Sequence, residues 1–321
     1  MLTEDQVVVA YRALLGREPE NQEIVANWLR HAPGFESLCR GLLSSEEFLQ
    51  KFLAERFAGI MSRLEPGPPI SVEWQVEPGI LEQMLERIKE TWSRLGETDP
   101  FWSVLSAERF RGENFAENAQ IYWNSGRSDV EFLNRWLARN HAGPFGKAHS
   151  CIEYGCGTGR VTRWLAEQFS HVTALDVSAP HIGLARDHVL RAGLSNARFI
   201  VVESLAPPPA VEPVDVVFCR IVLQHNPPPV IALLVEQFFA WLKPGGVALL
   251  QVPTYSARYT FDARQYLAEP LPPGFEMHLL PQQHIFALAE KQHCRLLEVE
   301  PDDCLGWHDW ISNTFLFQKT G

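Results

Sequence analysis

Short apolar runs alternate with amphipathic helical patterns from about residue 148 onward, and this alternation limits the fold more than any other feature. Strands joined by crossover helices form a parallel sheet with helices on both faces. The predicted strands cover residues 151–154, 171–176, 197–202, 214–220 and 247–252. Two later runs, residues 295–300 and 314–318, are separated only by a loop, so we expect them to pair antiparallel. The sequence therefore predicts an α/β fold with a doubly wound, mostly parallel sheet.

The first predicted strand leads into a glycine-rich turn and then a helix. Gly155, Gly157 and Gly159 give the turn a G-x-G-x-G spacing. Glycines let a backbone approach a ligand closely, and the amides at the start of a helix are free to donate hydrogen bonds. A dinucleotide-binding turn reads G-x-G-x-x-G, and Arg160 stands where that pattern needs its third glycine. The spacing therefore disfavours a dehydrogenase.

Together with Glu153, this turn resembles the first signature of the class I S-adenosylmethionine-dependent methyltransferases, E/D-x-G-x-G-x-G. Three further matches follow in the family's order. Asp176 closes the second predicted strand, Glu203 follows the third, and residues 242–246 match the family's L-K-P-G-G turn before the fifth strand. The resemblance covers roughly residues 118–320 and implies a seven-stranded sheet in the order 3-2-1-4-5-7-6.

The resemblance also implies that S-adenosylmethionine is the cofactor and suggests where it binds. Its methionine portion is expected against Glu153 and the amides of Gly155 and Gly157, and its ribose hydroxyls on Asp176. Its carboxylate is expected to pair with an arginine. Other residues predicted at the cofactor are Tyr122, Arg127, Gly159, Arg160, Val177, Glu203, Ser204 and Arg220, with Arg127 or Arg160 as the partner of the carboxylate.

The acceptor is expected beyond the carboxyl ends of the strands, where ligands bind in sheets of this kind. His225 lies in the loop after the fourth predicted strand, which makes it the candidate base, with a purely structural histidine as the alternative. The long connection over residues 254–280 is expected to form an acceptor lid. The predicted acceptor-binding residues are Tyr255, Arg258, Tyr259, His278 and His308. If His225 is structural, the next candidates for the base are His278, His308 and Asp309.

The first part of the chain predicts a separate helical unit. Residues 65–79 contain four prolines and two glycines, which suits a linker. We predict a helical bundle over residues 1–62, a linker and amphipathic helical segment over 63–117, and the methyltransferase domain over 118–321. Gly-Arg-Glu-Pro at residues 16–19 and Ser-Glu-Glu-Phe at 45–48 resemble a small domain of unknown function found in bacterial surface and carbohydrate-associated proteins.

That association favours methylation of a surface-glycan hydroxyl in the bacterial cytoplasm, with glycan-assembly enzymes as partners. Two alternatives remain open: a methyltransferase for a small aromatic, lipid or quinone-like acceptor, and a non-catalytic scaffold that binds the cofactor.

Composition excludes several other classes. The chain is 46% hydrophobic and 21% charged, and no apolar run approaches a membrane span. A net charge of −11 disfavours nucleic acid as a partner, because phosphate binding depends on Lys and Arg. The acidic start of the chain and the absence of paired C-x-x-C spacing predict a cytoplasmic protein with no export signal and no metal site.

Overall fold

The computed structural model describes residues 2–48, 67–143, 145–305 and 309–321. The chain divides into two compact units, Met1–Pro68 and Pro69–Gly321. The domain boundaries predicted after residues 62 and 117 stay predictions. None of the helices described is long and apolar enough to cross a membrane.

Three short helices of the first unit lie wholly within its described residues, α1 (Glu4–Leu15), α2 (Gln22–His31) and α3 (Phe35–Leu43). The first two helices begin at residues that cap them. Thr3 caps α1 in a capping box with Gln6, and Asn21 caps α2. The helices pack around a small apolar cluster that includes the fully buried Val7 and Leu38.

The second unit is built on one seven-stranded sheet. Its strands are β1 (Ser150–Tyr154), β2 (His171–Asp176), β3 (Ala197–Val201), β4 (Val214–Cys219), β5 (Leu242–Ser256), β6 (Cys294–Asp302) and β7 (Trp310–Lys319). They lie in the order β3-β2-β1-β4-β5-β7-β6. The first five strands are parallel, and β7 pairs antiparallel with both β5 and β6. The predicted fold class and strand order are confirmed.

Eight helices of the second unit have described bounds. They are α4 (Pro78–Thr98), α5 (Pro100–Val104), α6 (Phe115–Arg139), α7 (Thr162–Gln168), α8 (Ala179–Arg191), α9 (Pro228–Ala240), α10 (Ala263–Ala268) and α11 (Gln282–Lys291). Apolar side chains of α4, α9 and α11 join one core cluster with Ile152, and those of α6 and α7 join another with Cys151. Neighbouring strand residues point to opposite faces, so these clusters cover both faces of the sheet.

The Leu-Lys-Pro-Gly-Gly segment departs from the prediction. It was expected as a turn before the fifth strand, but it lies inside β5. Leu242 pairs with Val214 and Val247 pairs with Val216, so the residues between Leu242 and Val247 bulge out of the ladder. Gly245 has a φ of 79°, a conformation that glycine adopts without strain.

We expect a fragment of residues 69–321 to fold without the rest of the chain, because it contains the whole sheet and both of the clusters that cover it. The fragment should unfold cooperatively, and S-adenosylmethionine should raise its melting temperature by about as much as that of the full chain. Circular dichroism and thermal unfolding with and without the cofactor measure this. An insoluble fragment, or one whose melting temperature ignores the cofactor, contradicts the prediction.

Candidate functional site

The turn after β1 needs glycine at three of its positions. Gly155, Gly157 and Gly159 have φ angles of 75°, 51° and 81°. A Cβ on Gly155 would lie 2.3 Å from Cγ2 of Val222, and one on Gly157 would lie 2.7 Å from Cγ2 of Val104. Both the backbone conformation and the neighbouring side chains therefore require glycine.

Asp176, the last residue of β2, holds this turn in place. Its Oδ2 accepts a hydrogen bond of 2.8 Å from the Gly157 amide, and its Oδ1 accepts one of 2.9 Å from the Ser178 amide. Asp176 is 8% exposed and lines the cleft beside the turn. Each carboxylate oxygen has more than one acceptor position, so both can also accept from a ligand hydroxyl.

Glu153 places a second carboxyl group in the same cleft. It lies near the end of β1, is buried, and accepts a hydrogen bond of 2.5 Å from Oγ1 of Thr162. Burial disfavours the charged form and raises the pKa of Glu153 to about 8. At neutral pH the group is therefore mostly protonated and is ready to ionise beside a cation.

A cleft lies at the carboxyl ends of β1, β2 and β4. Ligands bind at this edge in sheets of this kind. One of its walls comes from outside the sheet: Ile88 and Trp92 of α4 line it, as do Ser103 and Val104 of α5.

Asp129 and two arginines, Arg160 and Arg220, form part of the cleft wall. Asp129 of α6 pairs with Arg160 at 2.6 Å and also with Arg220. Asp129 is 6% exposed, and Nε of both arginines is buried without a hydrogen-bond partner among the residues that the structure describes. Two positive charges against one negative charge leave the group with an excess positive charge. It suits a ligand carboxylate.

The loop after β4 contains a strained residue in the cleft wall. Ile221 has a φ of 59°, which is unfavourable for a β-branched residue. Its amide donates a hydrogen bond of 2.8 Å to Oε1 of Gln251, whose amide nitrogen donates in turn to Ser312 at 2.7 Å. Strain of this kind persists only where surrounding contacts hold it, and it concentrates at functional sites.

His225 follows in a single helical turn, Leu223–His225, and also lines the cleft. Its Nδ1 lies 3.0 Å from the backbone oxygen of Glu276. A carbonyl can only accept, so Nδ1 carries the proton, and Nε2 is the acceptor for the Gln224 side-chain amide at 3.3 Å. Burial lowers the pKa of His225 to about 4. The imidazole is therefore neutral at physiological pH, with a basic Nε2.

Two aromatic side chains contact this imidazole edge to face. The ring centroids of Trp92 and His225 are 5.2 Å apart, and those of Phe275 and His225 are 4.8 Å apart. The Trp92 and Phe275 rings are nearly parallel, with an interplanar angle of 5°. The imidazole that carries the basic nitrogen is thus in contact with two aromatic rings.

Comparisons with known proteins agree with this site. A family model described as a methyltransferase domain matches residues 151–246. The ubiquinone biosynthesis O-methyltransferase of Paraburkholderia phytofirmans is 31% identical over 183 residues, which cover 53% of this chain and 75% of that protein. Its counterpart in Paraburkholderia xenovorans is 34% identical over the same shares. The chain belongs to the class I S-adenosylmethionine-dependent methyltransferases.

A solved structure supports the same fold for this methyltransferase. The structure of magnesium protoporphyrin IX methyltransferase from Synechocystis PCC 6803 with bound SAH superposes with a TM-score of 0.51 at 15% identity. It covers 74% of this chain and 100% of that one. Together with the family match and the curated relatives, this fold supports an S-adenosylmethionine-dependent methyltransferase.

The residues of the methyltransferase fit this cofactor. The turn leaves room for a ligand only while it lacks side chains, Asp176 retains acceptor positions for a ribose diol, and Glu153 can ionise beside an ammonium group. Arg160 and Arg220 both line the cleft, and their excess positive charge suits a carboxylate. The cofactor, when bound, supplies the methyl group.

Most of the predicted cofactor residues of the methyltransferase converge on the cleft. Those that line it are Glu153, Gly155, Gly157, Arg160, Asp176, Val177 and Arg220. Gly159 shapes the turn from behind, because a Cβ there would lie 2.9 Å from the Ala185 backbone. Tyr122 is fully buried, and its hydroxyl bonds Oγ1 of Thr158 at 2.7 Å.

Other predicted residues lie away from the cleft wall. Arg127 is exposed and pairs with Glu131 at 3.0 Å, so Arg160 is the better placed of the two proposed carboxylate partners. Glu203 is exposed and pairs with Lys89 at 3.1 Å, and Ser204 accepts a hydrogen bond from the Ala206 amide. The roles of these residues stay predictions.

The predicted acceptor residues that the structure describes also lie away from the cleft wall. Tyr259 and His278 are joined by a hydrogen bond of 2.9 Å, but neither lines the cleft, and Tyr255 and Arg258 do not line it either. Asp309 is exposed. His308 lies outside the described residues.

Sequence reasoning missed Trp92, Phe275, Ile221 and Asp129. One of them left a signal. Asp129 follows the buried Tyr122 and Gly126 of α6 at helical spacing, so a charged residue occupies an apolar face. Nothing local distinguished the other three.

We expect Asp176→Ala to weaken cofactor binding by about 1–3 kcal/mol, because buried ribose hydroxyls lose their acceptor. Gly157→Val should abolish binding, since its side chain would displace Val104 and enter the cleft. Calorimetry with S-adenosylmethionine measures both. Gly245→Val is the matched control, because Gly245 also has a positive φ but has nothing within 4 Å of a Cβ. Wild-type affinity in folded Asp176→Ala would remove Asp176 from the cofactor site.

Cofactor binding should release protons through Glu153. Below about pH 8 this carboxyl is protonated in the free enzyme, and a cofactor ammonium group beside it favours the carboxylate. Affinity should therefore rise from neutral pH toward about 8 and level off above it. Calorimetry in buffers of different ionisation enthalpy counts the protons. Glu153→Gln should lose the release, and an unchanged proton count in that variant rules out Glu153 as the source.

Proposed function

We propose that the enzyme transfers the methyl group of S-adenosylmethionine to a phenolic hydroxyl of a small, planar, quinone-related acceptor, with His225 as the base. One observation carries this proposal: Nε2 of His225 is an unprotonated acceptor, and the rings of Trp92 and Phe275 contact its imidazole. A flat aromatic acceptor can pack on such rings while its hydroxyl meets the basic nitrogen.

The relatives favour the same acceptor class. The two Paraburkholderia proteins carry the name ubiquinone biosynthesis O-methyltransferase, which points to a hydroxyl acceptor in quinone formation. The surface-glycan acceptor, the glycan-assembly partners and the link to polysaccharide biosynthesis expected from the N-terminal resemblance find no support in them. The quinone-like alternative is therefore the better reading.

The acidity of the acceptor supports a phenol over a sugar. His225 has its pKa lowered to about 4, so it is a weak base. A phenol titrates near pH ~10, as tyrosine does, whereas an aliphatic hydroxyl holds its proton more firmly. Since a weak base removes a proton more readily from the stronger acid, His225 is better matched to a phenolic hydroxyl.

The chain contributes alignment and proton transfer. The glycine turn, Asp176 and the charged wall are suited to fix the cofactor, and Trp92 and Phe275 are suited to hold the acceptor ring. Alignment of two reactants can contribute about 7–11 kcal/mol in well-oriented systems. His225 accepts the hydroxyl proton at Nε2, and its Nδ1–H bond to the Glu276 carbonyl stabilises the cation that forms.

The acceptor class is tested with two small probes. We expect 4-methylcatechol to be methylated on oxygen, because it offers a flat ring and a phenolic hydroxyl, and methyl glucoside to be left unmodified. Mass spectrometry of the products formed from isotope-labelled S-adenosylmethionine measures this. Methylation of the glucoside with no reaction of the catechol would restore the glycan acceptor.

His225→Asn should lower kcat by about 10²–10⁴-fold with the catechol, while the affinity for S-adenosylmethionine stays near wild type. In the wild-type enzyme, activity should be full above the pKa of His225 and fall as pH drops through about 4. The variant should lose that dependence. His284→Asn is the control, because His284 stacks on Trp74 away from the cleft. Turnover of His225→Asn within a few-fold of wild type would make His225 structural.

A further inference from the structure

The segment between α10 and α11, residues 269–281, has no helix or strand and is here called the strap. Helix α4 holds its first half through two arginines. Arg87 donates to the backbone oxygens of Glu269 at 2.6 Å and Pro270 at 3.1 Å. Arg94 donates to the backbone oxygen of Pro272 at 2.8 Å. The strap is therefore fixed to α4 at several points.

Glu276 is the strap residue that forms a hydrogen bond with the candidate base. Its carboxylate pairs with Arg87 at 2.7 Å and accepts a hydrogen bond of 2.9 Å from the Tyr266 hydroxyl. Its backbone oxygen accepts the Nδ1–H of His225 at 3.0 Å. Glu276 thus pairs with α4 through its side chain and accepts a hydrogen bond from the His225 imidazole through its backbone oxygen.

The ion pair between Arg87 and Glu276 is mostly removed from solvent. The Arg87 side chain is 9% exposed and that of Glu276 is 20% exposed. The Arg87 guanidinium also lies 4.6 Å from the centroid of the Tyr266 ring. Loss of one partner from such a pair leaves a poorly solvated charge, so the other partner must move. A shift of Glu276 also shifts the carbonyl that faces His225.

That carbonyl decides which nitrogen of His225 is basic. In a neutral imidazole one nitrogen carries hydrogen and the other has a lone pair, and the hydrogen-bond partner selects between them. The acceptor at Nδ1 favours hydrogen there and leaves the lone pair on Nε2. Without the carbonyl, only the Gln224 amide, 3.3 Å from Nε2, still favours this tautomer, so the preference between the two weakens.

We propose that Arg87 and Glu276 are a positioning pair, which holds the strap so that the Glu276 carbonyl keeps Nε2 of His225 as the basic nitrogen. The inference rests on the proposed role of His225 as the base. It gives α4 a part in proton transfer although none of its charged residues contacts the acceptor.

The tautomer of His225 is measured without any substrate. Nitrogen-15 spectra of the full-length protein with ring-labelled histidine report which nitrogen carries hydrogen, and His225→Asn identifies the His225 signals by their loss. In the wild type we expect hydrogen on Nδ1 alone. Arg87→Met should give a mixture of tautomers, whereas Arg94→Met should keep the wild-type pattern, because Arg94 bonds the strap but not Glu276.

Turnover of 4-methylcatechol gives the second readout. Arg87→Met should lower kcat by roughly 10–100-fold, the range seen when an outer hydrogen-bond partner of a functional histidine is removed, with the KM for the cofactor unchanged. Arg94→Met should stay within a few-fold of wild type. If Arg87→Met does not fold, Arg87→Lys and Glu276→Gln carry the test, with a partial tautomer mixture and a smaller loss of kcat expected.

The two proposals fail in different ways. A single wild-type tautomer in folded Arg87→Met, or in both conservative variants, overturns the positioning pair even when His225→Asn is inactive. Full activity of His225→Asn overturns His225 as the base, while the spectra still decide whether Arg87 and Glu276 set its tautomer. Equal tautomer mixtures in Arg87→Met and Arg94→Met would assign the effect to the strap as a whole and also overturn the pair.

Discussion

The hydrogen bond from the Gly157 amide to the Asp176 carboxylate is the contact on which the cofactor side of this enzyme depends. It joins the turn after β1 to the end of β2, so two neighbouring parallel strands share one edge of the cleft. Because Asp176 also accepts from the Ser178 amide, it is fixed before any ligand arrives. A preformed acceptor of this kind lowers the ordering needed on binding.

The charges around the cleft follow from burial. Asp129 separates Arg160 and Arg220, which would otherwise repel each other in a poorly solvated wall. Glu153 remains protonated near neutral pH and so adds no charge until a cation is present. The wall is therefore close to neutral where an ammonium group is expected and positive where a carboxylate is expected.

The two sides of the cleft come from different parts of the chain. Residues 151–246, which match the methyltransferase family model, contain the glycine turn, Asp176 and His225. The side chains that contact His225 come from outside this range: Trp92 lies on α4 and Phe275 on the strap. The family match thus covers the glycine turn, Asp176 and the candidate base, whereas the rings that contact this base come from α4 and the strap. We therefore expect related enzymes that act on different acceptors to differ in sequence in α4 and the strap.

The sequence by itself determined the sheet, the glycine turn and Asp176. Strand periodicity, the glycine spacing and a terminal strand pair are local patterns, and the resemblance to the methyltransferase family supplied the strand order. Even so, the bulge that places residues 243–246 inside β5 was missed, because it depends on pairing with Val214 and Val216. A local sequence pattern predicts that a strand or helix exists more reliably than it predicts the residues at which it begins and ends.

Only the tertiary structure decided what surrounds the base. His225 was predicted as the candidate base from its position after β4, but Trp92, Phe275 and the Glu276 carbonyl all contact it from distant parts of the chain. None of these has a local signature, since a ring beside a histidine or a carbonyl facing a nitrogen results from the packing of separate elements. The sequence carries the chemistry of each residue, and packing decides which residues meet.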